Sequence, residues 1–155
     1  MKVKAITLWQ PWATLWLLRI KQNETRPRQT KHRGPLIVHA GKAIKPEGEG
    51  LWNTLWETDG ELMLRCHKAG LIPLSFNALP FGQLLGAVHV LDAKPITGWT
   101  RLKLPSLERM LGNYTDGRWM WIAKSKWRLI FKQPVPARGH QGFFDVDVPP
   151  ALFVR

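Results

Sequence analysis

Residues 9–26 read WQPWATLWLLRIKQNETR, and that stretch decides the fold by placing a helix start, a helix and a polar strand in immediate succession. Pro11 suits the first helical turn, where its missing N–H would have no partner, and this leaves Gln10 beside the cap with its amide free to point outward. From Trp12 the apolar residues Leu15, Trp16, Leu17, Leu18 and Ile20 keep a helical period. Arg19 and Lys21 suit the negative end of the helix dipole, so the helix is expected to close at Lys21. In an extended segment beyond it, Glu24 and Arg26 share one face while Asn23 and Thr25 share the other. A strand that spends one face on Glu and Arg builds no core there. Pattern alone favours a solvated edge carrying a surface ion pair worth at most ~1 kcal/mol. The sharper alternative gathers Lys21, Glu24 and Arg26 in the mouth of a cleft beside the tryptophan-rich helix.

Outward from this stretch, residues 4–9 read as a first strand, and PRQTKHR at 27–33 as a basic loop ended by Gly34-Pro35. Leu36-Ile37-Val38-His39-Ala40 is a buried strand closing at Gly41-Lys42. A lone histidine after three aliphatics is more often a satisfied core residue than a catalyst. Between 46 and 69 apolar residues recur at three and four, giving one helix or two short ones broken near Thr58-Asp59-Gly60. Residues 83–92 form a central strand, and Gly82 at its entry with Gly86 inside it predict a bulge or a close approach of another backbone. A long excursion follows, with one short helix capped by Ser106. Three more segments complete the chain: a covered strand at 118–123, one strand or two across 127–138 split near Pro134, and a strand at 143–148. Six or more strands with helical insertions predict a mainly β, α+β fold, a small β-barrel formed as a single domain over residues 1–155.

Composition narrows the function. The chain has 155 residues, 23 Lys and Arg against 11 Asp and Glu, and a formal charge of +12. The basic residues recur along the chain (Arg26, Arg28, Lys31, Arg33; Lys124, Lys126, Arg128, Lys132), so the charge belongs to a folded surface and predicts affinity for polyanions, nucleic acid first. Nine tryptophans strengthen that reading, because cations and aromatic faces together are what unpaired bases stack on. No apolar run reaches the ~18 residues that span a bilayer, and the first residues lead into a strand rather than a signal-peptide core, predicting a soluble cytoplasmic protein without a membrane partner. A single cysteine, Cys66, fits that compartment and excludes an internal disulfide.

No phosphate-cradling loop, dinucleotide fingerprint or zinc-protease motif occurs. The histidines at 32, 39, 67, 89 and 140 have no i, i+4 pair, so neither a metal nor a cofactor is expected. Ser75, Ser106 and Ser125 lack the strand-turn-helix context of a nucleophile elbow.

Several blocks together resemble an ASCH domain: Trp9-Gln10-Pro11-Trp12-Ala13, Ile20-Lys21-x-x-Glu24-x-Arg26, His32-Arg33-Gly34-Pro35-Leu36, His39-Ala40-Gly41-Lys42, Leu79-Pro80-Phe81-Gly82 with Gly86 and Asp92, and Gly139-x-Gln141-Gly142-Phe143. The resemblance covers nearly the whole chain, and its specific part is the Gln-Pro-Trp-Ala helix start followed by Lys-x-x-Glu-x-Arg. It implies a PUA-like barrel with a cleft between the first helix and the strands that holds RNA or a nucleotide, and it reverses the reading of the charged strand face. Some relatives in this wider family are amidohydrolases that deacylate an N4-acylated cytidine, using a threonine three residues after the lysine that matches Lys21. Here that position is Glu24, and Thr25 faces the opposite way, so the threonine mechanism transfers poorly. The pattern's later strand glutamate has no obvious counterpart either, His89 and Asp92 being the nearest polar residues.

The first expectation is an RNA- or modified-nucleoside-binding module, with RNA preferred over DNA. Lys21, Arg26, Arg33 and Lys42 neutralise phosphate, Glu24 and Gln10 bond a base edge, and Trp12 stacks or walls the pocket. The second is a metal-independent hydrolase acting on RNA or an N4-acylated cytidine nucleoside in the same cleft, with Glu24 or His39 as base and Lys21 and Arg26 stabilising the anion. The third is a protein-interaction module that leaves the cleft idle and uses an exposed aromatic patch.

Overall fold

The computed structural model describes residues 1–153. Seven strands form one sheet: β1 (Lys2–Leu8), β2 (Asn23–Arg26), β3 (Gly34–Ala40), β4 (Gln83–Pro95), β5 (Trp119–Ala123), β6 (Leu129–Pro136) and β7 (Phe144–Asp147). The helices are α1 (Trp12–Leu17), α2 (Pro46–Thr58), α3 (Gly60–Lys68), α4 (Gly98–Lys103) and α5 (Ser106–Leu111). Strand order is β2-β5-β4-β3-β1-β7, with β6 also on β4. β1 and β3 run parallel and every other pairing is antiparallel. Among the described residues β2 and β7 end the hydrogen-bonded path, which does not close on itself. The fold is thus mixed and mainly β, with helices inserted between strands.

β4 organises the sheet. Along one edge its first half pairs with β6 and its second half with β5, while β3 takes the other edge. The change of partner requires a bend, and register shifts at Leu84/Gly86 and Val90/Asp92 supply it. A Cβ on Gly86 would overlap the Leu129 carbonyl of β6, which is the close backbone approach expected of this glycine.

Strand alternation divides the core. Ile6, Leu8, Leu36 and Val38 face Ala13, Trp16 and Leu17 of α1, whereas Ala5, Ile37, Leu84 and Ala87 face Phe131 and Val148 on the other side. Full burial of an aliphatic side chain such as Leu36 stabilises by about 1.5–3 kcal/mol. α2 and α3 add Trp52, Leu55, Met63 and the buried Cys66 around Leu15 and Leu18.

α1 ends four residues before the expected Lys21. Leu18 and Ile20 keep the apolar period but sit in a turn, because Arg19 adopts a left-handed conformation (φ 63°) and the amides of Ile20 and Lys21 both return to the Leu15 carbonyl. The excursion after β4 contains two helices rather than one, and α5 starts at Ser106 after Pro105 without a side-chain cap. No helix among the described residues is long and apolar enough to cross a membrane.

Candidate functional site

The turn between α1 and β2 is built by buried polar side chains. The Arg19 guanidinium donates to the carbonyls of Trp16, Lys21, Gln22 and Ala123. Burial pulls its pKa down to about 10, Glu108 opposes that fall and Arg128 adds to it, so Arg19 stays charged at neutral pH. Glu108 of α5 receives the amides of Gln22 at 2.8 Å and Asn23 at 3.0 Å, and the Tyr114 hydroxyl at 2.7 Å. This clamp fixes the entry to β2 and therefore the side chains that flank and follow it.

Those side chains meet as a cluster. Lys21 is 1% exposed, and its ammonium donates to Glu24 Oε1 at 2.9 Å and to the Asn23 carbonyl. Arg26 Nε donates to Glu24 Oε2 at 3.0 Å and its Nη2 to the Thr7 carbonyl at 3.1 Å. Burial by itself would raise the Glu24 pKa, but Lys21, Arg26 and the hydrogen bonds from Lys21 and the Thr25 amide outweigh it and hold the carboxyl below its ordinary range. Glu24 is therefore an ionised acceptor. Three of its roughly four lone-pair sites are occupied, and the open one is on Oε2. The Thr25 hydroxyl accepts the Asn113 amide at 3.2 Å, and Thr25 lines the same cavity as Glu24 and Arg26.

The cluster forms the floor of a cavity of about 870 Å³. Trp9, Trp12 and Met110 supply apolar walls, and Arg118 and Glu47 add charge. Arg118 Nη2 holds the Thr25 carbonyl at 2.9 Å, while its Nε has no partner among the described residues. A second cavity, also about 870 Å³, adjoins the first and is lined by His39, Lys42 and Arg138, with no carboxylate among the described residues. Thr7, Trp9, His140 and Gln141 belong to both walls. Trp9 is 51% exposed, with the Lys45 ammonium 4.2 Å from its ring centroid. Beneath Arg26 lie Trp121, 5.7 Å from the guanidinium carbon, and Phe143, stacked on Trp121 at 11°.

Of the eight residues singled out from the sequence, Trp12, Lys21, Glu24 and Arg26 share the first cavity, and His39 and Lys42 line the second. Gln10 lies behind them. Its amide does not point outward: Oε1 accepts the Thr14 amide at 3.1 Å, filling an orphan donor of α1, and Nε2 donates to the Pro80 carbonyl at 2.9 Å. Gly48 of α2 lies so close to the Gln10 carbonyl that a Cβ there would overlap it, and Gln10 is fully buried. Arg33 lines neither cavity, being occupied by the Thr30 and His32 carbonyls and by Asp92 at 3.3 Å. His39 is 1% exposed with both ring nitrogens engaged.

Thr7, Trp9, Arg118, His140 and Gln141 are wall residues that the sequence reading did not assign to the site. Trp9 and Gln141 belong to the Trp-Gln-Pro-Trp and Gly-x-Gln-Gly-Phe motifs, and no local signal marks Thr7 or Arg118. Among the described residues no group of three or more His, Cys, Asp or Glu could hold a metal ion. Comparison with models of known families finds none that matches the chain, and comparison with curated protein sequences finds no match.

Proposed function

We propose that the chain is an ASCH-type, PUA-like domain that binds RNA or a modified nucleoside, RNA in preference to DNA, with one base in the first cavity. The observation that carries this reading is the ionised Glu24 held between Lys21 and Arg26 on the floor of a tryptophan-walled cavity. An ionised carboxylate only accepts, so its open lone pair suits an exocyclic base amine, while the cations suit phosphate and Trp9 and Trp12 offer flat faces. Plain phosphate binding would not call for Glu24 and Glu47 in the same wall. The separate concavity of about 480 Å³ beside α2 carries Glu49 and Glu57, the wrong sign for a polyanion. A mainly β sheet with α1 inserted between β1 and β2 supports the PUA-like assignment.

Hydrolysis with Glu24 as base is the weaker alternative. A carboxylate stabilised in its charged form by two cations has little affinity for a proton.

Fluorescence anisotropy with a labelled single-stranded RNA tests the proposal. Log affinity should fall against log salt with a slope of about −0.7 per phosphate contact. Arg26→Ala should weaken binding at least tenfold, and cytidine should compete better than uridine. Affinity that ignores salt and survives Arg26→Ala would remove the proposal.

A further inference from the structure

We infer that the exposed face of α4 is a second nucleic-acid contact, a platform on which Trp99 stacks an unpaired base of an RNA strand that leaves the first cavity. The inference rests on the RNA-binding reading of that cavity. None of the motifs that resemble an ASCH domain includes residues 97–103, TGWTRLK, and the platform lies in the excursion between β4 and β5.

α4 is held by its ends and not by its face. The Thr97 hydroxyl accepts the Thr100 amide and the Thr100 hydroxyl accepts the Thr97 amide, both at 3.3 Å, which closes a capping box. Ile96 before the helix and Leu104 after it pack with Tyr114. Arg101 Nη1 donates to the Tyr114 carbonyl at 3.1 Å and to Asp116. Arg101 is thereby turned inward, and helical spacing puts Trp99, Leu102 and Lys103 together on the opposite face. No residue of α4 is buried, Trp99 being 76% exposed and Leu102 74%. Trp99 thus offers solvent a large flat ring that adds nothing to the core.

Charge and continuity select the partner. The side-chain cations of Lys103 and Arg109 make no ion pair among the described residues. Between α4 and the first cavity lies a concavity of about 510 Å³ lined by Arg101, Arg109 and Tyr114, and it shares Gly112 and Asn113 with the cavity wall. Asp116, the carboxylate in its wall, is tied to Arg101, and Glu108 is buried against β2. A strand seated in the first cavity therefore has a cationic path over Arg109 and Arg101 to an exposed indole. Aromatic faces beside cations hold unpaired bases of any sequence, so the platform lengthens the footprint while the cavity reads the base. A membrane surface fits less well, since two apolar side chains on a helix of six residues offer little to insert.

The test measures the anisotropy of fluorescein-labelled oligocytidylates of three and of twelve nucleotides with the full chain. Trp99→Ala should weaken the longer one about tenfold, leave the shorter unchanged because it ends within the cavity, and keep the parent's melting curve. Trp99→Phe should restore most of the loss. A twelve-nucleotide strand carrying 4-thiouridine should photo-cross-link to the peptide that contains Trp99. Equal affinity of parent and Trp99→Ala for the longer strand, or equal loss at both lengths, would overturn the inference. Sedimentation with phosphatidylserine vesicles that depends on Trp99, with RNA affinity untouched, would overturn it too and make the face a membrane contact. Arg26→Ala separates the two sites: if it changes nothing while Trp99→Ala still weakens the longer strand, the cavity reading fails and the platform stands.

Discussion

β2 is served by two buried carboxylates with opposite employment. Glu108, 3% exposed, takes two backbone amides and the Tyr114 hydroxyl, all neutral donors, and pins the strand to α5. Burial, and then the charge of Glu108, push the Tyr114 pKa far up, so that hydroxyl keeps its proton and remains a donor. Glu24, 8% exposed, faces two cations and keeps one lone pair open toward a cavity. A carboxylate saturated by neutral donors is scaffold. One held by surplus cations at a cavity wall has charge and an acceptor to spare for a ligand.

Removing each carboxylate should therefore fail differently. Glu108→Ala strands three buried donors at about 1–3 kcal/mol each, so a loss near 5 kcal/mol and a collapsed urea midpoint are expected, with RNA binding lost through unfolding. A midpoint close to that of the parent would mean that α5 does not pin β2. Lys21→Met leaves Glu24 with Arg26 as its one cation beside the Thr25 amide, and about 3 kcal/mol should go, together with ligand affinity.

Glu24→Gln is milder, about 2 kcal/mol near neutrality, and it changes the acid limb. The folded carboxyl titrates below the ordinary value of about 4.3, so its contribution is complete above that pH and is lost as pH falls through the folded value. Melting curves between neutral and acid pH should converge for parent and variant. Parallel curves would assign Glu24 no special stabilisation. The smallest effect belongs to Arg33→Ala, which breaks an exposed pair with Asp92 and should cost under ~1 kcal/mol with little change in base selectivity. A large loss of affinity there would extend the site beyond both cavities.

That Glu24 and Arg26 share a cluster was legible in the sequence because strand period is a local property. The same holds for the glycine at the β4 bend, where two backbones must approach. Thr25, expected on the opposite face, also lines the cavity because Asn113 and Gly112 of a distant segment close that side. Gln10 was misplaced because its partners, Thr14, Pro80 and Gly48, include two from distant segments, and a buried amide looks no different in sequence from an exposed one. The period from Leu18 to Ile20 overran the helix because those side chains pack on α2 and α3 from a turn. Thr7 and Arg118 went unassigned for a related reason. A threonine in β1 becomes a wall residue only when β3 is laid beside it and the loop at 139–142 folds over both.

β2 also lies at one end of the strand order, where unpaired peptide groups would ordinarily invite another chain. Residues two apart turn their peptide groups to the same edge, and at Asn23 and Thr25 every one of these is taken: the amides by Glu108 and Glu24, the carbonyls by Lys21 and Arg118. The side chains that shape the cavity thus also seal the sheet against edge-to-edge aggregation. A change at Lys21 or Glu24 that empties the site uncovers a sticky strand at the same stroke, which ties solubility to the integrity of the binding cluster.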